Sequence, residues 1–513
     1  MTVATEVSSQ VAANDKEKRP STYGNWRKPQ SAGLMGLGTI GTVGLFVGLI
    51  FLILIVMLVG FLEAVIAAAI LGLLLALTLT KDRHGRSVLT RAGVRIGWWA
   101  TRQRGQHIYR SGPLGRADWG THQLPGLAAG IRLTEHYDSY ERPFALLYTP
   151  SRATYTVVIG TEPDGAALVD QAQIDSWVAD WGNWLANLSD EPSIRAASVT
   201  IETAPDPGTR LRREVKANLD PNAPTFSQMV LRETMELYPA GSSHVHAYVA
   251  LTFSATTRSG GRRRKPDEMA RELASRLPGL TGDLQATGAG AAAPLSAQEL
   301  CEVVRTAYDP TAAPLIEEAH AEGEDPELSW VDVGPTAAEA SWEGYRHDSA
   351  YSVSWGMTEA PRGVVQANVL TKLLQPHGDI ARKRITLLYR PIDPARAAAL
   401  VEADLNAAQF VSGAQRGGPS ARQTRAYKAA QATADEEASG AGLVNFGMVV
   451  TATVTDLEKV ADARAAIDNL GGASRVRLRP VYGSQDSAFA AGLPLGLVLP
   501  MHTKLPATWR EKL

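Results

Sequence analysis

Alternation of apolar and polar residues marks several strands in this chain. Residues 243–254 are the clearest case, with Val249 and Leu251 on one face and His246 and Tyr248 on the other. Side chains alternate between the two faces of a strand, so this pattern predicts a half-buried strand. Further strands are predicted at residues 142–148, 155–159, 383–389, 444–454 and 475–481.

Helical spacing of apolar residues separates these strands. Between residues 174 and 188 apolar side chains recur every three or four positions, and Trp177, Trp181 and Trp184 lie among them. The spacing predicts an amphipathic helix whose tryptophans are core anchors. Capping boxes predict two more helix starts, at Ser296–Glu299 and Thr455–Glu458. Other helices are predicted around residues 269–277, from 394 to 405 and up to about 439, with a short extended piece at 283–287.

Residues 31–80 have a different composition, because Glu63 is their single ionisable side chain. A membrane-spanning helix needs about 20 apolar residues, so this run predicts two spans, near residues 37–59 and 62–79, with Glu63 at the tip. Lysines and arginines flank the run on both sides. The positive-inside tendency then places both termini in the cytoplasm and the chain in the plasma membrane.

These patterns predict an α+β fold, with an N-terminal transmembrane helical hairpin followed by two ferredoxin-like α/β sandwich domains in the cytosol. The predicted division is a disordered tail, the hairpin, a basic juxtamembrane neck, a first domain, an Ala- and Pro-rich acidic linker and a second domain. Their bounds are residues 1–30, 31–80, 81–123, 124–309, 310–340 and 341–513.

Charge and cysteine content indicate the cellular compartment but do not indicate a reaction. The 513 residues include 51 Lys plus Arg and 53 Asp plus Glu, a formal net charge of −2, so no global field favours nucleic acid or acidic lipid. Cys301 is the single cysteine, which excludes an intrachain disulfide and favours a reducing compartment.

Common catalytic signatures are absent from the sequence. It has no Gly-Lys dipeptide of a P-loop, no Gly-x-Ser-x-Gly elbow and no His-Glu-x-x-His zinc helix. His244 and His246 share a strand face, as two metal ligands would, but exposed polar histidines are the favoured interpretation because no third ligand is near. Cys301 has no neighbouring base and is expected to be an inert, packed thiol. The sequence therefore predicts no catalytic residue, no metal and no cofactor.

One cationic run stands out after the apolar segment. Arg262, Arg263, Arg264 and Lys265 could meet a phosphate or an acidic partner surface. Without interleaved aromatic residues, a solvated loop is the favoured interpretation, and nucleic acid is possible but not favoured.

Short motifs resemble parts of conjugation machines. Residues 23–27, Tyr-Gly-Asn-Trp-Arg, followed by the double apolar run resemble the small PrgI-like membrane proteins of Gram-positive conjugation systems. Residues 389–391, 440–443 and 482–496 resemble the N-terminal, non-ATPase domain of the conjugation ATPases of type IV secretion. In that family a Gln and a Phe ahead of Leu-Pro precede the motor, which implies partner contacts for Gln485, Phe489, Leu493 and Pro494. The spacing of Phe489 and Leu493 is that of a helical ridge, which either packs internally or faces the ATPase.

The first half also resembles EccE, the two-span component of type VII secretion, through its hairpin, basic neck and Trp-rich helix. A second cytosolic half departs from that family. Together the resemblances imply a non-catalytic inner-membrane scaffold of an actinobacterial conjugation or secretion machine. Its implied partners are the plasma membrane, other channel components in an oligomer and a separate hexameric P-loop ATPase. Type VII EccE proper and a membrane-bound transferase-like enzyme are the alternatives.

Overall fold

The structure is a computed structural model, and the residues it describes fall into many ranges. They are residues 23, 24, 26, 38–58, 60–80, 82, 84–115, 121–163, 165, 166, 168–191, 193–205, 209–237, 243–256, 261–361, 363–413 and 420–503. Apart from Tyr23, Gly24 and Trp26, the predicted polar tail lies outside these residues.

Thirteen strands form one antiparallel sheet within the described residues. They are β1 (Ile108–Arg110), β2 (Arg132–Tyr137), β3 (Pro143–Thr149), β4 (Thr154–Glu162), β5 (Ile194–Pro205), β6 (Ser243–Ser254), β7 (Ala291–Pro294), β8 (Ala337–Ala340), β9 (Tyr345–His347), β10 (Ala350–Glu359), β11 (Arg382–Pro391), β12 (Val444–Val454) and β13 (Arg477–Pro480). The strand order is β1-β8-β9-β10-β12-β11-β5-β6-β4-β3-β2, with β13 on β10 and β7 on β4.

Fourteen α-helices are described. They are α1 (Gly38–Leu58), α2 (Phe61–Leu79), α3 (Val88–Gln103), α4 (Gln171–Asp190), α5 (Thr209–Asn218), α6 (Thr225–Leu237), α7 (Pro266–Leu284), α8 (Ala297–Tyr308), α9 (Ala313–Glu322), α10 (Thr371–Leu374), α11 (Pro394–Gly413), α12 (Ala421–Ala438), α13 (Val460–Ala473) and α14 (Gln485–Ala491).

The two halves of the chain meet in the middle of the sheet, where β5 pairs with β11 from Ala197↔Tyr389 to Thr203↔Lys383. The predicted architecture of a membrane hairpin and two separate sandwich domains is therefore wrong. Taken alone, each half would leave one strand with an unpaired edge, β5 in the first half and β11 in the second. These two edges pair with each other. Hydrophobic periodicity predicts strands but carries no information about which edges pair.

The same order of elements occurs in both halves. The first half runs β4, α4, β5, two helices, β6, α7, β7, with neighbours in the order β7-β4-β6-β5. The second runs β10, α10, β11, two helices, β12, α13, β13, with neighbours in the order β13-β10-β12-β11. Each half also places a short helix directly after its last strand, α8 in the first and α14 in the second. The chain therefore contains an internal structural repeat around the β5–β11 ladder.

Helices cover one face of the sheet. Helices α4 and α7 enclose a core with Phe253, Met269 and Leu277, and α13 encloses a second core with Trp355 and Ile467. Trp184 is buried in the first of these cores, as predicted for a core anchor. Trp181 reaches across the ladder to Tyr389 on β11, with ring centroids 5.9 Å apart, so α4 ties the two halves together on this face.

Most predicted elements are present, including the strand Ser243–Ser254 and the capping box at Ser296 and Glu299. Two local predictions differ from the structure. Residues 283–287 belong to the end of α7 and a following helical turn instead of an extended piece. At the other predicted capping box, the Asp456 side chain accepts from the Glu458 N–H. The predicted linker contains α9 and β8, and β8 pairs with β1.

Helices α1 and α2 pack as a pair, and a Cβ atom at Gly48 would meet the side chain of Leu71. Many of their large apolar side chains are exposed. Within the described part of the chain, however, no helix has both the length and the apolar character that a membrane crossing needs. The predicted two-span hairpin and the predicted plasma-membrane location are contradicted by this finding. Helices α1 and α2, of 21 and 19 residues, lie where the two spans were predicted, near residues 37–59 and 62–79.

The opposite face of the sheet is crossed by residues 485–497, named here the crossing segment. It begins on β10, where the Gln485 amide oxygen accepts from the Ser354 N–H at 2.8 Å. It continues over β11, where the Gly492 carbonyl accepts from Thr386 at 2.9 Å, and reaches β6, where the Gly496 carbonyl accepts from Thr252 at 3.2 Å. The crossing segment therefore bonds to strands of both halves.

Gly496 is a position in the crossing segment where a side chain does not fit. Its φ of +65° lies in the left-handed region, and a Cβ atom would collide with the hydroxyl groups of Thr156 and Thr252. We expect Gly496→Ala to lower the free energy of unfolding by about 2 kcal/mol or more, from backbone strain and overpacking together. Thermal unfolding measures this. Gly130→Ala is the control, because Gly130 is exposed and its Cβ would meet open space. Equal melting temperatures for the two variants would contradict the assignment.

Candidate functional site

The residues predicted as partner contacts lie inside the protein. Gln485, Phe489, Leu493 and Pro494 are all buried within the crossing segment. The ring of Phe489 lies 5.0 Å from that of Tyr308, between centroids, in the core beneath α8. This burial agrees with the internal-packing alternative for the Phe489 and Leu493 ridge, and leaves no surface ridge for an ATPase at these residues.

The cationic run is anchored at the start of α7. Arg262 forms an ion pair with Glu268, and Arg264 forms one with Glu272. Arg264 also donates to the Ser193 hydroxyl at 2.7 Å. Arg263 and Lys265 are exposed. Two of the four cations are therefore engaged in local contacts.

The histidine pair lies on β6, and the cysteine lies on α8. His246 is exposed, and its ring lies 6.3 Å from that of Tyr248; the His244 side chain is outside the described residues. No group of three His, Cys, Asp or Glu side chains in the described ranges is placed to hold a metal ion. Cys301 is buried, and burial raises the pKa of its thiol to about 12.

A row of polar side chains crosses the β5–β11 ladder on the face that the crossing segment covers. Register places Ser354, Thr451, Arg384, Glu202 and His246 side by side on five neighbouring strands. We call these five residues the polar row. Sequence reasoning singled out His246 and missed the other four. A signal was present for Arg384, because Arg384 and Thr386 are polar residues at alternate positions of the predicted strand 383–389.

Glu202 is the electrostatic centre of the polar row. It is buried and lies between two guanidinium groups, pairing closely with Arg382 and at 3.5 Å with Arg384. Burial alone would raise the pKa of this carboxyl, but the charges of Arg382 and Arg384 hold the pKa below its ordinary value. Glu202 is therefore ionised, and it belongs to β5 while both arginines belong to β11. The ion cluster joins the two halves.

Arg384 is the less satisfied of the two arginines. Its side chain is buried, and none of its three nitrogens makes a hydrogen bond within the described residues. Its guanidinium lies 4.6 Å from the centroid of the Phe489 ring, a cation–π distance. Two cations face one carboxylate, so a net positive charge is enclosed here. The aromatic ring of the crossing segment seals it from solvent.

A buried histidine extends the polar face towards β9. The His347 Nδ1–H donates to the Tyr308 carbonyl, and its Nε2 accepts from the Ser352 hydroxyl at 2.8 Å. A carbonyl can only accept, which fixes this tautomer. Burial lowers the pKa of His347 to about 4, so the ring is neutral at pH 7. Both His347 and Ser352 are fully buried, so the arrangement holds fixed hydrogen bonds within the core.

Comparison with protein families matches the start of the chain. Residues 30–90 match a family described as a domain of unknown function (DUF8461). The match covers α1, α2 and the first turn of α3, and well under half of the chain. No curated protein matches the chain.

Neutralising Glu202 and neutralising Arg384 should change the stability of the protein by very different amounts. We expect Glu202→Gln to lower the free energy of unfolding by about 3 to 5 kcal/mol, because it leaves the buried Arg384 and the half-buried Arg382 without their anion. Arg384→Met removes the surplus cation and retains the Glu202–Arg382 pair, so it should change stability by about 1 kcal/mol or less. Chemical denaturation of both variants measures the difference. Equal destabilisation would show that Arg384 and Glu202 act as a balanced pair, against this account.

His347 should make the protein sensitive to acid. Its folded pKa of about 4 lies below the ordinary value of 6.5, so between these pH values only the unfolded state binds the proton. This contribution to stability is present above pH 6.5 and is lost as the pH falls towards 4, by at most about 1.4 kcal/mol per pH unit.

Melting temperatures at pH 7 and pH 5 test this contribution. His347→Gln should flatten the fall between the two pH values, whereas His136→Gln, on edge strand β2, should leave it as in the unaltered chain. A fall that is equally steep in His347→Gln would rule out His347 as its source.

Proposed function

We propose that this chain is a non-catalytic scaffold of an actinobacterial conjugation or secretion machine that binds a separate P-loop ATPase. The observation that carries the proposal is a pair of helical insertions at equivalent places in the two halves. Helices α5 and α6 lie between β5 and β6, and helices α11 and α12 lie between β11 and β12. Neither insertion contributes a strand to the sheet. Both can therefore contact another protein without disturbing the strand pairing.

Both insertions expose large apolar side chains. In α6, Phe226 is 71% exposed and Met229 lies three residues further on, also exposed. In α11, Phe410 is 77% exposed beside Val411. Phe226 and Met229 lie in successive turns of α6 and form a stripe, whereas Phe410 and Val411 are neighbours near the end of α11 and form a small patch. Another protein can cover exposed apolar groups of this kind, which supports a scaffold role.

The antiparallel ladder places the insertions far apart. The first follows Pro205, at the end of the ladder where β11 begins, and the second follows Pro391, at the opposite end. One chain can therefore contact two partner surfaces at opposite ends of the strands. This spacing suits a scaffold within an oligomer of channel components.

An ATPase is the proposed partner because of sequence resemblance. Residues 389–391, 440–443 and 482–496 resemble the non-ATPase domain that precedes the motor in conjugation ATPases, and the sequence has no P-loop of its own. Since the crossing segment is buried, we assign docking to the exposed insertions instead. A type VII system, with the chain as EccE proper, would use the same surfaces.

Capture of the ATPase from gently lysed cells of the native host tests the proposal. Tagged full-length chain should retain a P-loop ATPase identified by mass spectrometry, and the purified chain alone should not hydrolyse ATP. Phe226→Ser with Met229→Ser, or Phe410→Ser with Val411→Ser, should reduce capture at least tenfold, about 1.4 kcal/mol or more, without lowering the melting temperature.

Leu168→Ser is the matched control, because Leu168 is fully exposed outside both insertions. Absence of an ATPase from the captured proteins, or equal capture by all variants, would refute the docking assignment. ATP turnover that a point mutation in this chain abolishes would refute the non-catalytic role.

A further inference from the structure

A small apolar groove lies on the surface beside α9, away from the polar row and both insertions. Its volume is about 220 Å³, and it is lined by Arg305, Ala312, Leu315, Ile316, Pro326 and Leu328. Leu315 is 67% exposed, so the groove is open to a partner. Pockets for drug-sized ligands have about 300 to 1,000 Å³, so this groove suits one or two aliphatic side chains.

The walls of the groove are held by local structure. Glu327, between Pro326 and Leu328, has a φ of +49°, an uncommon conformation for a residue other than glycine. Arg305, at the base, donates to Asp309 at 2.8 Å, to Asp348 at 3.1 Å and to the Gly334 carbonyl at 2.9 Å. The guanidinium is therefore engaged by groups inside the protein.

The surroundings of the groove are strongly acidic. Residues 313–332 contain no lysine and no arginine. They contain seven carboxylates, Glu317, Glu318, Glu322, Glu324, Asp325, Glu327 and Asp332. All seven except Glu317 are exposed. An acidic rim of this kind repels nucleic acid and anionic lipid and attracts cationic partners.

We propose that this groove binds a basic peptide segment of a partner protein, which inserts an aliphatic side chain beside Leu315 and places lysines or arginines against the acidic rim. The apolar lining would supply the anchor site and the carboxylates the orientation. This site goes beyond the proposed ATPase scaffold role and does not depend on it, because neither helical insertion contributes to the groove.

Fluorescence anisotropy with the full-length chain tests the site. The probe is a short labelled peptide of lysine and alanine with one central leucine; a second peptide has alanine in place of the leucine, and a third has glutamate in place of lysine. We expect the leucine peptide to bind most tightly, with affinity that falls at high salt, and the glutamate peptide not to bind.

Variants of the chain separate the two components of the site. Leu315→Ser should weaken binding about tenfold, the equivalent of one buried aliphatic contact. Neutralising Glu318, Glu322 and Glu324 to glutamine should also weaken it about tenfold and reduce its salt dependence. The matched controls are Leu168→Ser and neutralisation of Asp435, Glu436 and Glu437 to their amides, and neither should change the affinity.

Four results would overturn the proposal. They are no binding of the leucine peptide, equal binding of the leucine and alanine peptides, equal loss in the controls, and dimers of the chain that Leu315→Ser dissociates. The last of these would make a second copy the occupant of the groove.

Discussion

Pairing between β5 and β11 is the constraint on which the rest of this structure depends. It makes one sheet from two repeats, and it brings Glu202 of one repeat between Arg382 and Arg384 of the other. A backbone ladder between two edges is unspecific by itself, because any strand can pair with any other. The buried carboxylate makes the register specific, since a slip of one residue would turn Glu202 away from both guanidinium groups towards the opposite face of the sheet.

That specificity has an energetic consequence. The buried Arg384, the half-buried Arg382 and one carboxylate leave a net positive charge, and desolvation of a charge is expensive. The structure meets this cost with the Phe489 ring at 4.6 Å and with a polar surface of serine and threonine hydroxyl groups on neighbouring strands. The crossing segment thus stabilises the ion cluster of Glu202, Arg382 and Arg384, because its Phe489 ring covers Arg384. The glycines of the segment contribute as well, because Gly492 and Gly496 allow its backbone to approach Thr386 and Thr252.

Sequence reasoning predicted elements well and their assembly poorly. Periodicity identified strand Ser243–Ser254 and the Trp-rich helix, because alternation and helical spacing are local properties of the chain. It failed where the outcome depends on distant residues. The pairing of β5 with β11 joins residues about 190 positions apart, and the burial of Phe489 depends on a face of the sheet contributed by both halves. The polar residues of β11 were visible as an alternating pattern, but only the register shows that Glu202 lies opposite them.

The position of the crossing segment in the chain also bears on how the protein folds during synthesis. A ribosome makes the sequence from residue 1 upwards, and all thirteen described strands precede residue 485. Nascent chains can therefore assemble both repeats while Arg384 still faces water and the hydroxyl-lined face is open. Burial of the Phe489 ring and of a few aliphatic side chains of the crossing segment then covers that face. Before this burial the face exposes apolar side chains such as Leu147 and Val158 beside Arg384, and exposed apolar surface of this kind is what chaperones bind.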